Sequence, residues 1–169
     1  MSGKSKSRKS WREKLGNPPE GLPKVVDVPV EWEKRMGGRK ILVPTPLLVD
    51  GQIRKVKKGK LVTVNQIREK LAKDFKAEST CPMTLGIFLR IISEAAEEDR
   101  KNGKNMSRAQ SRERITPYWR VVKDDGSLNP KFPGGVKAQA TLLKEEGHKI
   151  VPGKGKKLPK VRDFKESLV

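Results

Sequence analysis

Cysteine and histidine, the side chains best suited to act as nucleophile, base or soft metal ligand near neutral pH, are scarce in this 169-residue chain. Cys81 and His148 are the only representatives of their types. A single cysteine excludes an intramolecular disulfide and a Cys-rich zinc centre, and a single histidine argues against a His-based metal site. Cys81 lies just before Pro82 at the start of an apolar helical pattern. A helix N-terminus lowers a thiol's pKa, but a reactive thiol also needs an electropositive, partly exposed setting, and none is visible in the sequence. Cys81 is therefore read as a small packing residue. No catalytic residue, metal or cofactor is assigned.

A second constellation lies in Ile115-Thr116-Pro117-Tyr118-Trp119-Arg120-Val121-Val122-Lys123-Asp124-Asp125-Gly126-Ser127. Two aromatics stand beside an arginine, then a β-branched pair, then a turn. Tyr, Trp and Val favour a pleated strand, and Asp-Asp-Gly-Ser supplies what a tight turn needs. An aromatic pair beside an arginine could hold a base, a peptide or simply a core.

Charge supplies the third chemistry. Lys and Arg number 39 against 20 Asp and Glu, a net charge of +19 with hydrophobic residues at only 34%. Such an excess destabilises a compact state unless a polyanion neutralises it, which points first to nucleic acid. An anionic membrane is disfavoured, because no stretch pairs a basic face with an apolar one. No run approaches the length of a membrane span, and the N-terminus lacks the apolar core of a signal peptide. With the lone cysteine this gives an expected intracellular location, cytoplasm or nucleoid, neither secreted nor membrane-bound.

These groups need elements to position them. Residues 1–40 read as a basic, Pro/Gly-rich arm, with Met1 to Lys14 expected to be disordered and Trp11 either anchoring that tail or stacking on a base. Val25, Val26 and Val28 suggest a short edge strand. Residues 41–150 form the domain and residues 151–169 a basic tail carrying Lys154, Lys156 and Lys157. Thr45-Pro46 is a helix cap, and Leu47, Leu48, Ile53 and Val56 trace a face weakened by Gly51. Thr63-Val64-Asn65-Gln66 has the form of a capping box, opening a second helix from Val64 to Asp74. A third helix starts at Pro82 and stops at Asn102-Gly103. Its Leu85, Phe88, Leu89, Ile92 and Ala95/Ala96 share one face, while Ile87 and Ile91 make its first half apolar nearly all round, predicting a buried helix. Gly103 to Arg114 is a basic connector, and Val136, Ala140, Leu143 and Gly147 trace a last helix. The expected class is mainly α with a small β element, a winged helix-turn-helix domain flanked by extended basic tails.

From about Ile53 to His148 the sequence resembles the DNA-binding and active-site domain of methylated-DNA–protein-cysteine methyltransferases and of their inactive alkyltransferase-like relatives. The resemblance rests on Lys58-Gly59-Lys60-Leu61-Val62-Thr63, Leu85-Gly86, Pro117-Tyr118-Trp119-Arg120-Val121-Val122, Asp125-Gly126-Ser127-Leu128, Phe132-Pro133-Gly134-Gly135, Leu142-Leu143 and Glu146-Gly147-His148, in that order and spacing. It implies a winged helix whose enzymes carry Pro-Cys-His-Arg. In that register Tyr118 replaces the cysteine and Trp119 the histidine. A phenol near its ordinary pKa of about 10 is no substitute for a thiolate. Glu146 matches the family's carboxylate but has no histidine to orient, so the resemblance implies a vestigial pocket of Tyr118, Trp119, Arg120 and Glu146. The relatives' tyrosine falls on Val64 and their arginine finger on about Met83, which puts base extrusion in doubt.

The expected function is non-enzymatic nucleic-acid binding, mainly through phosphates and with low sequence specificity. The candidate residues are Lys57, Lys58, Lys60, Thr63, Met83, Thr84 and Arg90, with Lys104, Arg108, Arg112 and Arg114 of the connector. DNA is favoured by the resemblance, and RNA is possible. An alternative is an RNA-binding subunit of the ribosome or another ribonucleoprotein, whose basic arms would fold on RNA. A third is an alkylated-DNA lesion sensor or repair protein. For Tyr118 and Trp119, an aromatic plug in the core stands against a stacking surface for an unpaired base.

Overall fold

The computed structural model describes residues 10–103 and 115–169. Helix dominates and the strands are short. In chain order come α1 (Trp11–Gly16), β1 (Lys24–Asp27), α2 (Glu33–Met36), β2 (Lys40–Val43), α3 (Pro46–Arg54), β3 (Val62–Thr63), α4 (Val64–Asp74), β4 (Ser79–Thr80) and α5 (Pro82–Asn102). A 3₁₀ turn at Tyr118–Arg120, β5 (Val121–Val122), α6 (Gly135–Glu145), β6 (Ile150–Val151) and β7 (Lys160–Val161) complete the chain, with further 3₁₀ turns before α2 and after β7.

The centre is α5. Leu85, Phe88, Leu89, Ile92, Ala95 and Ala96 bury one face among Leu15, Val49, Ile53, Ile67, Leu71, Tyr118 and Phe132. Each large side chain so buried contributes about 1.5–3 kcal/mol. The expectation that the first half of α5 is buried all round is overturned. Ile87 is 61% and Met83 46% exposed, because no element of the described chain covers that side.

α4 begins and ends where its caps place it. Thr63 Oγ1 accepts from the Gln66 N–H at 3.1 Å, and Gln66 Oε1 accepts from the Thr63 N–H at 3.0 Å. Arg68 then fixes α4 against its neighbours. Its Nε donates to the Thr80 carbonyl at 3.0 Å and its Nη2 to the Met36 carbonyl at 3.1 Å, while Thr80 Oγ1 donates back to the Arg68 carbonyl at 2.8 Å. α4 is thereby tied to Met36 and to β4, which leads directly into α5, so that α4 and α5 follow each other as a helix–turn–helix. Thr45 caps α3 through Oγ1, accepting from the Leu48 N–H, and Gly51 does not interrupt that helix.

Both flanks are folded onto this body. The predicted edge strand is β1, antiparallel to β2, which pairs in parallel with β4 in a sheet of order β1-β2-β4. Disorder of Met1 to Lys14 does not hold for residues 10–14. Ser10 caps α1 through Oγ, and the Glu98 carboxylate accepts the Trp11 and Arg12 N–H groups at 3.0 and 3.2 Å. A carboxylate from α5 thus satisfies the orphan donors of a short helix that has little stability of its own. Leu15 then joins the core. At the other end, the Leu128 N–H donates to the Pro159 carbonyl and the Val161 N–H to the Gly126 carbonyl, at 2.9 and 3.0 Å. Leu61 and Val169 bond similarly, and Val161 is buried with Val122, Leu128 and Leu143.

The predicted strand at Tyr118 is also corrected. Tyr118–Arg120 is a 3₁₀ turn closed by the Arg120 N–H on the Pro117 carbonyl at 3.1 Å, and only Val121 and Val122 are extended. β5 pairs in parallel with β3, not as one arm of a hairpin. The tight turn after it is present: Gly126 sits at φ +85°, and its N–H donates to the Lys123 carbonyl. The antiparallel partner beyond that turn comes from the C-terminal segment, by a bridge between Ser127 and Lys160.

Candidate nucleic-acid interface

The residues selected from sequence separate into three environments. The first is the uncovered side of α5. Met83, Gly86, Ile87 and Arg90 follow each other at helical spacing, and all four are exposed. They line a hollow of about 990 Å³ whose other walls are Trp11 and Lys14 of α1, Val64 of α4, and Lys123 and Asn129 to Phe132 of the loop before α6. Lys14, Arg90, Lys123 and Lys131 set four cations around this hollow, against the one carboxylate of Glu94. Trp11 lies between two of them, with Lys14 Nζ 4.1 Å and Arg90 Cζ 5.7 Å from its ring centre. Such cation–π contacts hold long side chains in place at a surface. The half-buried indole thus both anchors α1 and forms a wall of the hollow.

Two residues expected at this surface have other duties. Thr63 is buried, and its hydroxyl is engaged in the α4 cap. Thr84 is half-buried, and its hydroxyl donates to Cys81 Sγ at 3.2 Å. Cys81 itself is buried with Val28, Met36 and Ile41, as a packing residue. Sequence reasoning missed Lys14, Lys123 and Lys131. Only the packing of two distant segments beside α5, α1 and the loop before α6, gathers them.

The second environment is the pocket of Tyr118, Trp119, Arg120 and Glu146. Tyr118 is 2% exposed and makes edge-to-face contacts with Trp119 and Phe132, ring centres 5.4 and 5.2 Å apart. Its hydroxyl donates to the Glu97 carboxylate at 2.6 Å. Burial, then that hydrogen bond, then the charge of Glu97 raise the phenol's pKa well above its ordinary value of 10.0, with a smaller opposing pull from Arg100. Trp119 is half-exposed, and its Nε1 donates to Glu146 at 3.2 Å. Arg120 Nε donates to the same carboxylate at 2.8 and 3.1 Å, Nη2 pairs with it as well, and Nη1 donates to the Val56 carbonyl. Glu146 is therefore not idle, as the absence of a histidine implied. It orients an indole and neutralises a buried guanidinium. His148 lies near this pair. Burial lowers its pKa first, with a raising contribution from Glu146 and a lowering one from Arg120, and its Nε2 is buried without a hydrogen-bond partner among the described residues.

The third environment is a hollow of about 670 Å³ on the other side of Trp119. Lys57 and Lys58 line it with Arg100, Arg120, Pro117 and Leu142. They belong to a turn closed by the Lys60 N–H on the Lys57 carbonyl, with Gly59 at φ +82°. Lys57 and Lys58 thus line a different hollow from Met83 and Arg90, and the exposed Lys60 lines neither. Lys104, Arg108, Arg112 and Arg114 lie outside the described residues. Among the described residues no group of His, Cys, Asp and Glu could hold a metal ion. No described helix is long and apolar enough to cross a membrane.

Comparison with known proteins gives a distant likeness. No protein-family profile matches the chain, and no curated protein matches it. Among solved structures the chain is similar to the S. pombe Atl1 protein, in a crystal structure with damaged DNA containing O6-carboxymethylguanine, at 18% identity and a TM-score of 0.46. The likeness covers 73% of this chain and 93% of that one.

Proposed function

We propose that this chain is a non-enzymatic DNA-binding protein that engages duplex DNA with the uncovered side of α5, mainly through phosphates and with low sequence specificity. The observation that carries the reading is that side's chemistry. Met83 and Ile87 are exposed on the second helix of a helix–turn–helix pair, Gly86 stands between them, and four cations surround the hollow they line. Exposed apolar side chains in a cationic setting suit a polyanion with apolar sugar and base edges. The space where a Gly86 side chain would sit is open, so another backbone could approach. Met83, Gly86 and Ile87 carry no side-chain donor or strong acceptor for reading base edges, and on this side of α5 Arg90 is left as the main group that does, which supports weak specificity. A helix face enters the wide major groove of B-form DNA but not the deep, narrow one of A-form RNA, and this favours DNA. Both described flanks are hydrogen-bonded to the body and do not suit arms threading through folded RNA.

Tyr118 is unsuited to act as the nucleophile of this pocket. Its phenol is buried, bound to a carboxylate and harder to ionise than an ordinary tyrosine. A nucleophile needs the opposite on every count. Cys81 is buried beside the apolar Val28, Met36 and Ile41, where a partner has little access to its thiol.

The test is a titration of the full chain against duplex DNA and duplex RNA at several salt concentrations. Four phosphate contacts imply a slope of log K on log salt of about −3.6. Ile87→Glu, on an exposed position, is expected to leave stability within about 0.5 kcal/mol and to weaken DNA binding about tenfold or more. No binding of duplex DNA near 100 mM salt, or unimpaired binding by Ile87→Glu, refutes the reading.

A further inference from the structure

We infer that the DNA-binding surface continues from α5 onto the α2 segment, where Arg35 contacts a phosphate and Trp32 supplies an apolar contact to the sugar face of the same duplex. This rests on the reading just given and adds two residues that neither motif nor charge count selects. Met83 is the point of continuity. It lines the hollow along α5, and Arg35 Nη2 lies 4.0 Å from its sulfur. The same guanidinium lies over the Trp32 ring, 6.0 Å from Cζ to the ring centre. Trp32 is 45% exposed on a segment that also exposes Val30.

Neither neighbour neutralises the guanidinium. A thioether is a weak acceptor, and an indole face offers only its quadrupole. No carboxylate pairs with Arg35 among the described residues, whereas Arg68 on the adjoining helix is tied into carbonyls. Arg35 is thus placed beside the hollow by two weak contacts, with its charge open to a partner. That is the arrangement a phosphate contact needs, because less side-chain freedom is lost on binding. Glu31 and Glu33 share the segment, so the gain is one directed contact and not a general attraction. A large exposed aromatic beside such an arginine suits a nucleic acid, whose sugars and bases give apolar faces next to each phosphate.

The inference is tested in the full chain with Arg35→Ala, Arg35→Gln and Trp32→Ala, using a duplex of generic sequence at several salt concentrations. Both side chains are exposed, and melting temperatures equal to the parent's establish that the fold is intact. Loss of one phosphate contact makes the slope of log K on log salt shallower by about 0.9 in both Arg35 variants. Their affinity is expected to fall about threefold to tenfold near 100 mM salt, as for loss of one such contact. Trp32→Ala is expected to lower affinity with the slope unchanged. If the parent binds duplex and the variants keep its slope and affinity, this inference falls and the α5 reading stands. If Arg35→Ala weakens binding with no change in slope, the phosphate role is refuted. If the parent itself binds no duplex, the underlying reading fails first.

Discussion

Replacing Tyr118 by phenylalanine separates a core plug from a ligand surface, and the structure gives the size and pH dependence of the effect. The substitution deletes one oxygen and leaves the ring among Trp119 and Phe132. What is lost is the 2.6 Å hydrogen bond to Glu97. Hydrogen bonds to charged groups contribute about 1.5–3 kcal/mol, and the partial exposure of Glu97 places this one near 2 kcal/mol. The hydroxyl's folded pKa is raised by burial and by Glu97, above the value of about 10 that it has in the unfolded chain. A group of this kind contributes its full stabilisation below the unfolded pKa and loses it as pH rises towards the folded pKa. The unfolded state alone releases the proton above about pH 10, so the parent's advantage over Tyr118→Phe shrinks by about 1.4 kcal/mol per pH unit. A gap near 2 kcal/mol at pH 8 should therefore close at about pH 11.5. Urea denaturation of both proteins from pH 8 to pH 11, followed by circular dichroism, measures it. A gap that stays constant or widens above pH 10 refutes the assignment of the buried Tyr118–Glu97 bond. DNA affinity is expected to be unchanged at neutral pH. A loss there would mean that Tyr118 faces a ligand after all.

Glu146→Gln leaves the Arg120 charge buried beside a neutral amide, in a pair whose side chains are 14% and 7% exposed. The expected cost is about 3 kcal/mol, the lower end for breaking a buried pair, read as a lower guanidinium midpoint; an unchanged midpoint would show that the pair is not structural. Gly126→Ala drives a Cβ into the Phe164 ring at a residue held at φ +85°. Strain and displacement together should cost about 2–4 kcal/mol, and a thermal melt shifted by less than a degree or two would contradict the turn geometry.

How much of this was legible in advance varies by element. The α4 cap, the start of α5 at Pro82 and its end at Asn102, and the β1 edge strand are set by local chemistry and could be read directly. The strand at Tyr118 could not. Tyr and Trp do prefer extended backbone, yet Tyr118 turns into the core towards Glu97 while Arg120 turns to Glu146, and a 3₁₀ turn satisfies both. Ile87 was misread for the complementary reason. An apolar residue in an apolar stretch looks buried until one knows which sides of the helix have neighbours. Trp11 left two possibilities in the sequence, and the Glu98 carboxylate that receives its helix's N–H groups is 87 residues away.

The sequence by itself determined the charge, the absence of a thiol–imidazole couple at Pro117-Tyr118-Trp119-Arg120, and the helices whose caps lie within a few residues of each other. Those properties depend on composition and on short-range hydrogen bonds, which are written along the chain. Only the tertiary structure decided that Tyr118 is core while Trp119 stays half-exposed, that Lys57 and Lys58 line a different hollow from Arg90, and that Arg35 stands against Met83. Each of these depends on which distant segments meet. A residue's type limits what it can do, and its neighbours in space decide which of those things it does.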